Sequence, residues 1–453
     1  MRINKISVTN LFGIFNHEIP LKMGDRITMI HAPNGFGKTI LLRMINGLFN
    51  YEYLELHEIP FTELRLDFDN GSYLQVKKNR NDSTSEEENN KDLSLYFCVT
   101  ESKKQYESLN YKKSKQLDDL NNFIKKSRPK ITRKGFNTWL DLKNNQEIEA
   151  ESFINQFAQF FQNQFDQLPK ISEWFSELTE NTNIGFIEAQ RLLRHSVQEP
   201  PFPAPRPLLQ RKGTRRNSSM IASVETYAEE LAEIIQDKLA EYAALSQSLD
   251  RTFPARLVQK TKSELTEETL RNKLSEIENQ RFELIEAGLL GKDDNTDFQV
   301  GGEIDEPTKR ILSVYIEDVE KKLSVFEDIA KKIQLLQRII KDRFQYKKMA
   351  VSRDKGFTFT THDGNPLAPA DLSSGEQHEL VMLYELLFKV EPNSLILIDE
   401  PELSLHVAWQ DKFLKDLQEI TKLGNFDVLL ATHSPDIISD RWDLTVELKG
   451  PIA

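Results

Sequence analysis

Residues 27–42 read Ile27-Thr28-Met29-Ile30-His31-Ala32-Pro33-Asn34-Gly35-Phe36-Gly37-Lys38-Thr39-Ile40-Leu41-Leu42, and this stretch decides the fold. Ile27, Met29 and Ile30 crowd into one short run and predict a strand over Arg26 to His31. Pro33-Asn34-Gly35 predicts a turn, and Ile40, Leu41, Leu42, Met44 and Ile45 predict a helix that starts where the turn ends. The turn spells the phosphate-loop pattern G-x-x-x-x-G-K-[ST], with Ala32 in place of its first glycine. A loop of this kind turns backbone amides and a helix N-terminus toward a polyanion. Lys38 can reach the β and γ phosphates of a nucleotide, and Thr39 can offer its hydroxyl to Mg2+. Ala32 leaves that chemistry intact provided its backbone needs no positive φ. The plainer reading is a glycine-rich turn before an ordinary helix.

Farther along the chain, Ser394 to Asp399 is a near-continuous apolar run, the pattern of a strand covered on both faces of a parallel sheet. It ends in two adjacent carboxylates. Asp399 then falls near the metal and Glu400 near the γ phosphate, where it can polarise an attacking water. Alone, such a strand end reads equally well as a capped strand; in chain order after the loop it reads as the second half of a nucleotide site. Phe426 to Ala431 is a second buried-strand run, and Val407 to Ile420 between them reads as a helix, so the segment forms a strand–helix–strand crossover. At the other end Ile3 to Leu11 alternates as a half-buried strand, and Leu64–Phe68 with Tyr73–Lys77 flank Asp69-Asn70-Gly71 as a hairpin.

The middle differs in style. From about residue 99 to residue 354 the sequence is charged and mostly helical in pattern, with no buried-strand signal of comparable strength. Ile311, Val314, Ile316, Val319, Leu323, Phe326, Ile329, Ile333 and Leu336 recur at helical spacing and predict one amphipathic helix. Residues 228–290 carry a similar pattern, so a bundle-like arm is expected. Pro200 to Arg216 and Gly291 to Pro307 are expected loops. The 453 residues suffice for a large core with an inserted module. With 59 Lys and Arg against 71 Asp and Glu, the net charge of −12 excludes a dedicated nucleic-acid coat. A single cysteine, Cys98, excludes an intramolecular disulfide and points to the cytosol. No apolar run has the length of a membrane span, and the start lacks a signal-peptide pattern, so a soluble cytoplasmic protein without a membrane partner is expected.

Leu372-Ser373-Ser374-Gly375-Glu376-Gln377 resembles the signature motif of ATP-binding-cassette ATPases. Ser404-Leu405-His406 after Pro401-Glu402 is similar to their D-loop, and Thr432-His433-Ser434-Pro435 to their switch-histidine region. With an inserted arm, the whole resembles the SMC, RecF and OLD-type ATPase heads. The fold this implies is α/β: an ABC-type P-loop ATPase head split by a long, mostly helical insertion. Its N-terminal lobe would be 1–98, the arm 99–354 and the C-terminal lobe 355–453. The resemblance also implies ATP and Mg2+ between two heads. One head would supply Asn34, Gly35, Phe36, Gly37, Lys38, Thr39, Asp399, Glu400 and His433, and the other Ser373, Ser374 and Gly375. Thr39 and Asp399 would hold the metal, Glu400 would be the general base, and His433 would contact the γ phosphate or, in the plainer reading, cap a strand end. Ser404 and His406 would lie at the head–head contact. A Q-loop glutamine is not evident: Gln75 lies inside the hairpin, and Phe61-Thr62-Glu63 is a replacement segment. Asn10, Phe12 and Asn16 are adenine-contact candidates by family position.

The head motifs do not choose what the ATPase drives. An OLD-type nuclease would carry a Toprim region with metal-binding carboxylates after the ATPase, and few residues follow Asp440. The chain therefore resembles, most closely, the ATPase subunits of bacterial anti-phage systems of the PARIS type, with the Septu and retron ATPases as neighbours. That resemblance implies a homodimer or higher homo-oligomer joined through its heads. It would hold a separate Toprim-type nuclease effector until a phage-encoded trigger protein is sensed. The alternative is a DNA-repair or DNA-binding ATPase of the RecF or SMC kind. Arg206, Arg211, Lys212, Arg215 and Arg216 form the strongest basic run; it suits nucleic acid, a protein contact or plain solvation.

Overall fold

The computed structural model describes residues 1–50, 52–78, 93–100, 103–109, 115, 131–133, 138–141, 146–149, 172–188, 218–259, 265–291 and 304–450. They belong to two compact units, Met1–Arg191 with Val390–Ala453, and Leu192–Lys389. The sequence reading divides the chain at 98/99 and 354/355.

In the first unit, β1 (Ile3–Leu11) and β2 (Phe15–Pro20) form an antiparallel pair, β3 (Ile27–His31) follows, and the phosphate-loop segment leads into α1 (Lys38–Phe49). A short α2 (Tyr53–Glu58) precedes β4 (Glu63–Phe68) and β5 (Tyr73–Lys78). Gly71, at φ +83°, makes the turn between those strands, and the Asn70 side chain accepts from the Ser72 N–H. With β6 (Leu93–Thr100) and β7 (Lys103–Leu109) these strands make a six-stranded antiparallel sheet ordered β2-β1-β4-β5-β6-β7. Three further strands, β8 (Ile131–Arg133), β9 (Thr138–Asp141) and β10 (Gln146–Glu149), pair with one another. Next come α3 (Glu173–Glu180) and β11 (Ile184–Glu188).

The second unit is built on α4 (Ser218–Gln259), α5 (Glu267–Glu286), α6 (Glu306–Ser324) and α7 (Glu327–Arg343). It continues with β12 (Lys347–Ser352), β13 (Gly356–Thr361) and β14 (Pro366–Leu367), a small antiparallel sheet, and with α8 (Ser374–Tyr384). The chain then returns to the first unit as β15 (Leu395–Asp399), α9 (Val407–Gly424), β16 (Asp427–Ala431), the short α10 (Pro435–Ile438) and β17 (Thr445–Glu447).

The parallel sheet is ordered β11-β15-β16-β3-β17, and every residue of β15 and β16 is buried. That two-sided burial is what their unbroken apolar runs required. Asp399 pairs with Ala431, and Ala431 with Ile30, so the C-terminal ends of β15, β16 and β3 finish level. Loops at such an edge are the usual place for a ligand in an open parallel sheet. One continuous core joins the two sheets through α1, with Leu41, Leu42, Ile45 and Leu48 packed among Ile6, Leu11, Leu66, Val76, Leu397 and Leu429. Each such side chain, fully buried, contributes about 1.5–3 kcal/mol, so the helix behind the loop is firmly seated.

Two expectations for the middle need correction. The segment is not free of buried strands: Ile184–Glu188 adds an edge strand to the parallel sheet, with Ile184 opposite Leu395, and β12 and β13 stand beside the arm helices. In Ile184-Gly185-Phe186-Ile187 the glycine dilutes the run, yet a Cβ there would lie 2.8 Å from Ile396 Cδ1, so the small residue fits a close strand approach. The single amphipathic helix over 311–336 is two helices, broken at Val325-Phe326. Lys321 and Lys322 end the first and Glu327 and Asp328 begin the second, the charge order that favours a C-terminus followed by an N-terminus. Residues 200–216 and 292–303, and so the basic run and most of the expected loop over Gly291 to Pro307, lie outside the described residues. Among the described residues no helix is long and apolar enough to cross a membrane.

Candidate nucleotide site

The phosphate-loop segment runs from the end of β3 to the start of α1. Ala32 is buried and is not among the residues at positive φ, which meets the one condition its substitution for glycine imposed. Gly35 and Gly37 do take positive φ, +86° and +85°. At Gly37 an added Cβ would also lie 2.7 Å from Leu11 Cδ2, whereas nothing lies within 4 Å of one at Gly35. The loop is thus closed on its Gly37 side against β1 and open at Asn34 and Gly35, which are exposed.

Lys38 is buried, and its ammonium donates to the carbonyls of Ala32 at 2.8 Å and Pro33 at 3.3 Å. It also faces His433 Nδ1 at 3.4 Å. Burial pushes the Lys38 ammonium below the usual lysine range, and Glu400, Asp399 and Glu402 pull the other way. The Thr39 hydroxyl donates to Asp399 Oδ1 at 3.1 Å, so the two expected metal-binding oxygens lie side by side.

Glu400 follows directly on β15 in the left-handed region, φ +46°, and its N–H donates to the Ala431 carbonyl at 2.9 Å. A non-glycine residue held there stores strain, which persists when the surroundings over-determine it and which concentrates at functional sites. His433 Nε2 meets Glu400 Oε1 at 2.9 Å. A carboxylate only accepts, so Nε2 carries the hydrogen, and Nδ1 is left to accept from Lys38. The imidazole therefore links the lysine of the loop to the carboxylate of the strand end.

Glu402 is the residue that sequence reading passed over. Its carboxylate accepts from the Thr432 hydroxyl at 3.0 Å and from the His433 N–H at 2.7 Å. Ser434 Oγ donates to Gln410 Oε1 at 2.8 Å, fixing the far side of the same turn to α9. The signal was present in the sequence: the run Asp399-Glu400-Pro401-Glu402 carries a third carboxylate. Ser404 Oγ donates to the Pro401 carbonyl, and His406 caps α9 by accepting from the Ala408 N–H. Leu403 and Val407 beside them are exposed, at 52% and 70%.

The structure thus brings Lys38, Thr39, Asp399, Glu400 and His433 together. Ser373, Ser374 and Gly375 belong to the second unit, at the N-terminus of α8. Ser373 caps that helix: its hydroxyl donates to Glu376 Oε2 at 2.7 Å, and its N–H donates to the same oxygen at 2.8 Å. Burial raises the Glu376 carboxyl, but hydrogen bonds from Lys347 and Ser373 outweigh it and hold the group below the usual range. An added Cβ at Gly375 would meet nothing within 4 Å. Of the adenine-contact candidates, Asn10 and Phe12 are at positive φ, and Asn16 Oδ1 accepts from the Asn10 N–H. Asn10 also donates to Thr62, in the Q-loop replacement segment. Gln75 is in β5, opposite Arg65 and Tyr96.

The donor set fits a nucleotide triphosphate: open loop glycines, a buried lysine, and a hydroxyl–carboxylate pair of hard oxygens. Among the described residues no group of three or more His, Cys, Asp or Glu could hold a metal unaided. Mg2+ commonly takes one or two protein oxygens and fills its remaining positions with phosphate and water.

The family model of the AAA ATPase domain (AAA_15) matches residues 1–438. Protein ea59 of Escherichia phage lambda is 31% identical over 122 residues, which is 26% of this chain and 23% of that protein. The chain therefore spans about a quarter of that relative's length. Among solved structures, the Smc head domain of Pyrococcus furiosus, with an extended coiled coil bound to the C-terminal domain of ScpA, is 10% identical. That alignment covers all of this chain and 94% of that one, at a TM-score of 0.35.

Proposed function

The chain belongs to the AAA ATPase domain family, and we propose that it binds ATP with Mg2+ and hydrolyses it slowly at the ends of β3, β15 and β16. The observation that carries this is the junction of Lys38, His433 and Glu400 beside the Thr39–Asp399 pair. Lys38 leaves the loop carbonyls to meet the β and γ phosphates. Thr39 and Asp399 hold Mg2+, which neutralises phosphate charge when bound. Glu400 accepts a proton from the attacking water as the new bond to the γ phosphorus forms and the bond to the β–γ bridging oxygen breaks. His433, anchored through Glu402, keeps Glu400 oriented and meets the γ phosphate from the side.

Ser373, Ser374 and Gly375 act from a second copy of the chain, so the complete site needs two heads, with the exposed Leu403 and Val407 at the contact. Beyond the chemistry, the resemblance to the PARIS ATPase subunit AriA supports a scaffold of an anti-phage system. In that role the assembled heads hold a separate Toprim-type nuclease until a phage trigger arrives. Expressing the tagged chain with its native gene neighbourhood tests this by the mass and composition of the complex. A defined high-mass complex containing a nuclease is expected. A lone ATP-dependent dimer would overturn the scaffold and favour the DNA-directed alternative, whose mark is DNA binding that falls steeply with salt.

A further inference from the structure

His17 takes no part in the chemistry above, yet it is 2% exposed and points from β2 at the phosphate loop. Its Nε2 is 3.0 Å from the carbonyl oxygen of Phe36. A carbonyl accepts, so Nε2 carries the hydrogen and donates. Nδ1 is buried with no partner, which it tolerates better as a bare lone pair than as an N–H. The ring stacks on Phe15 at 5.5 Å, and Phe15 in turn packs on the Phe36 ring at 5.3 Å. His17 is therefore held from one side by an aromatic pair and reaches the loop with a single directed donor. Burial pushes its imidazole below the usual histidine range, against the hydrogen bond to Phe36.

The bonded carbonyl matters because of its position. Phe36 stands between Gly35 and Gly37, both at positive φ, the most permissive stretch of the loop. No peptide among the described residues is cis, and in a planar trans peptide the carbonyl and the following N–H point in opposite directions. Fixing the Phe36 carbonyl toward β2 therefore fixes the Gly37 N–H to point away from β2. Without the His17 donor, the peptide between Phe36 and Gly37 loses the hydrogen bond that holds its carbonyl toward β2, and its amide must be oriented at the moment of binding.

From this geometry we infer that His17 is a positioning residue for phosphate binding: it orients the Phe36–Gly37 peptide so that the Gly37 amide faces the nucleotide. The inference rests on the ATPase reading of the site. His17→Phe keeps the stack on Phe15 and removes the donor, whereas His17→Gln can return an amide donor close to the position of Nε2. Equilibrium ATP binding should weaken about tenfold in His17→Phe, the size expected for one well-placed hydrogen bond. His17→Gln should recover most of that loss, and the nucleotide-free melting temperature should stay near wild type in both. In protein labelled with 15N at histidine, the His17 ring, assigned by its disappearance in His17→Phe, should show the hydrogen on Nε2.

Wild-type affinity in a folded His17→Phe protein would overturn the inference. So would parallel loss of melting temperature and affinity in both variants, which would make His17 a packing residue, or a hydrogen found on Nδ1. If the wild-type chain itself binds no ATP and Lys38→Ala changes nothing, the ATPase reading falls and takes this inference with it. The 15N spectrum separates that outcome from failure of the hydrogen bond alone.

Discussion

At the residue scale the site depends on a few polar contacts, and each can be removed alone. Lys38→Ala deletes the buried cation that holds the loop carbonyls and awaits the phosphates, so nucleotide affinity should fall by at least tenfold, as expected for charge-assisted contacts. Undiminished binding in a filter or calorimetric assay would remove the phosphate-loop assignment. Glu402→Gln keeps the shape but weakens the acceptor of Thr432 and His433. It should lower kcat more than KM, since it loosens the orientation of His433 without touching the loop; an equal change in both would place Glu402 in binding instead. That Lys38, Thr39, Asp399, Glu400 and His433 would lie together was legible in the sequence, because loop and strand end are written in residue type and order. Glu402 stood in the sequence as a third carboxylate of its run, but its partners lie 30 residues away, and the partner of His17 lies 19 away, both fixed by strand ends and register rather than by local pattern.

At the element scale, strands with unbroken apolar runs and the helix behind the loop could be read, since two-sided burial leaves an unambiguous pattern. What could not be read were strands whose burial depends on a neighbour, such as Ile184–Glu188, and a helix break that a continuous apolar stripe concealed. The second unit offers two tests. Gly356, at φ +62°, comes so close to α4 that an added Cβ would fall 1.9 Å from the Ala228 carbonyl oxygen. Gly356→Ala should destabilise by more than the roughly 1 kcal/mol cost of the left-handed backbone alone, seen as a lower melting temperature. Glu376 gives a pH test. Its folded-state carboxyl is held below the ordinary glutamate value, so its contribution is complete above that value and is lost as pH falls through the lower, folded one. The melting-temperature gap between wild type and Glu376→Gln should accordingly be widest near neutrality and close in acid; a constant gap would mean the ion pair with Lys347 contributes nothing.

At the scale of the whole molecule, the proposed working enzyme is a pair of chains, each supplying the loop of one site and the signature residues of the other. Mixing inactive Lys38→Ala chains with inactive Ser374→Arg chains should then restore about a quarter of the wild-type rate, because half of the random dimers carry one intact site of two. No recovery would confine the site to a single chain. The most direct test of the central claim is Glu400, held at φ +46° with His433 Nε2 at 2.9 Å from its carboxylate. Phosphate release should be measurable in the wild type in the presence of Mg2+. Glu400→Gln should bind ATP at least as tightly, accumulate as a nucleotide-loaded dimer and release phosphate at least a hundredfold more slowly, the scale of a lost general base. Phosphate release at the wild-type rate from Glu400→Gln would contradict the account at its centre.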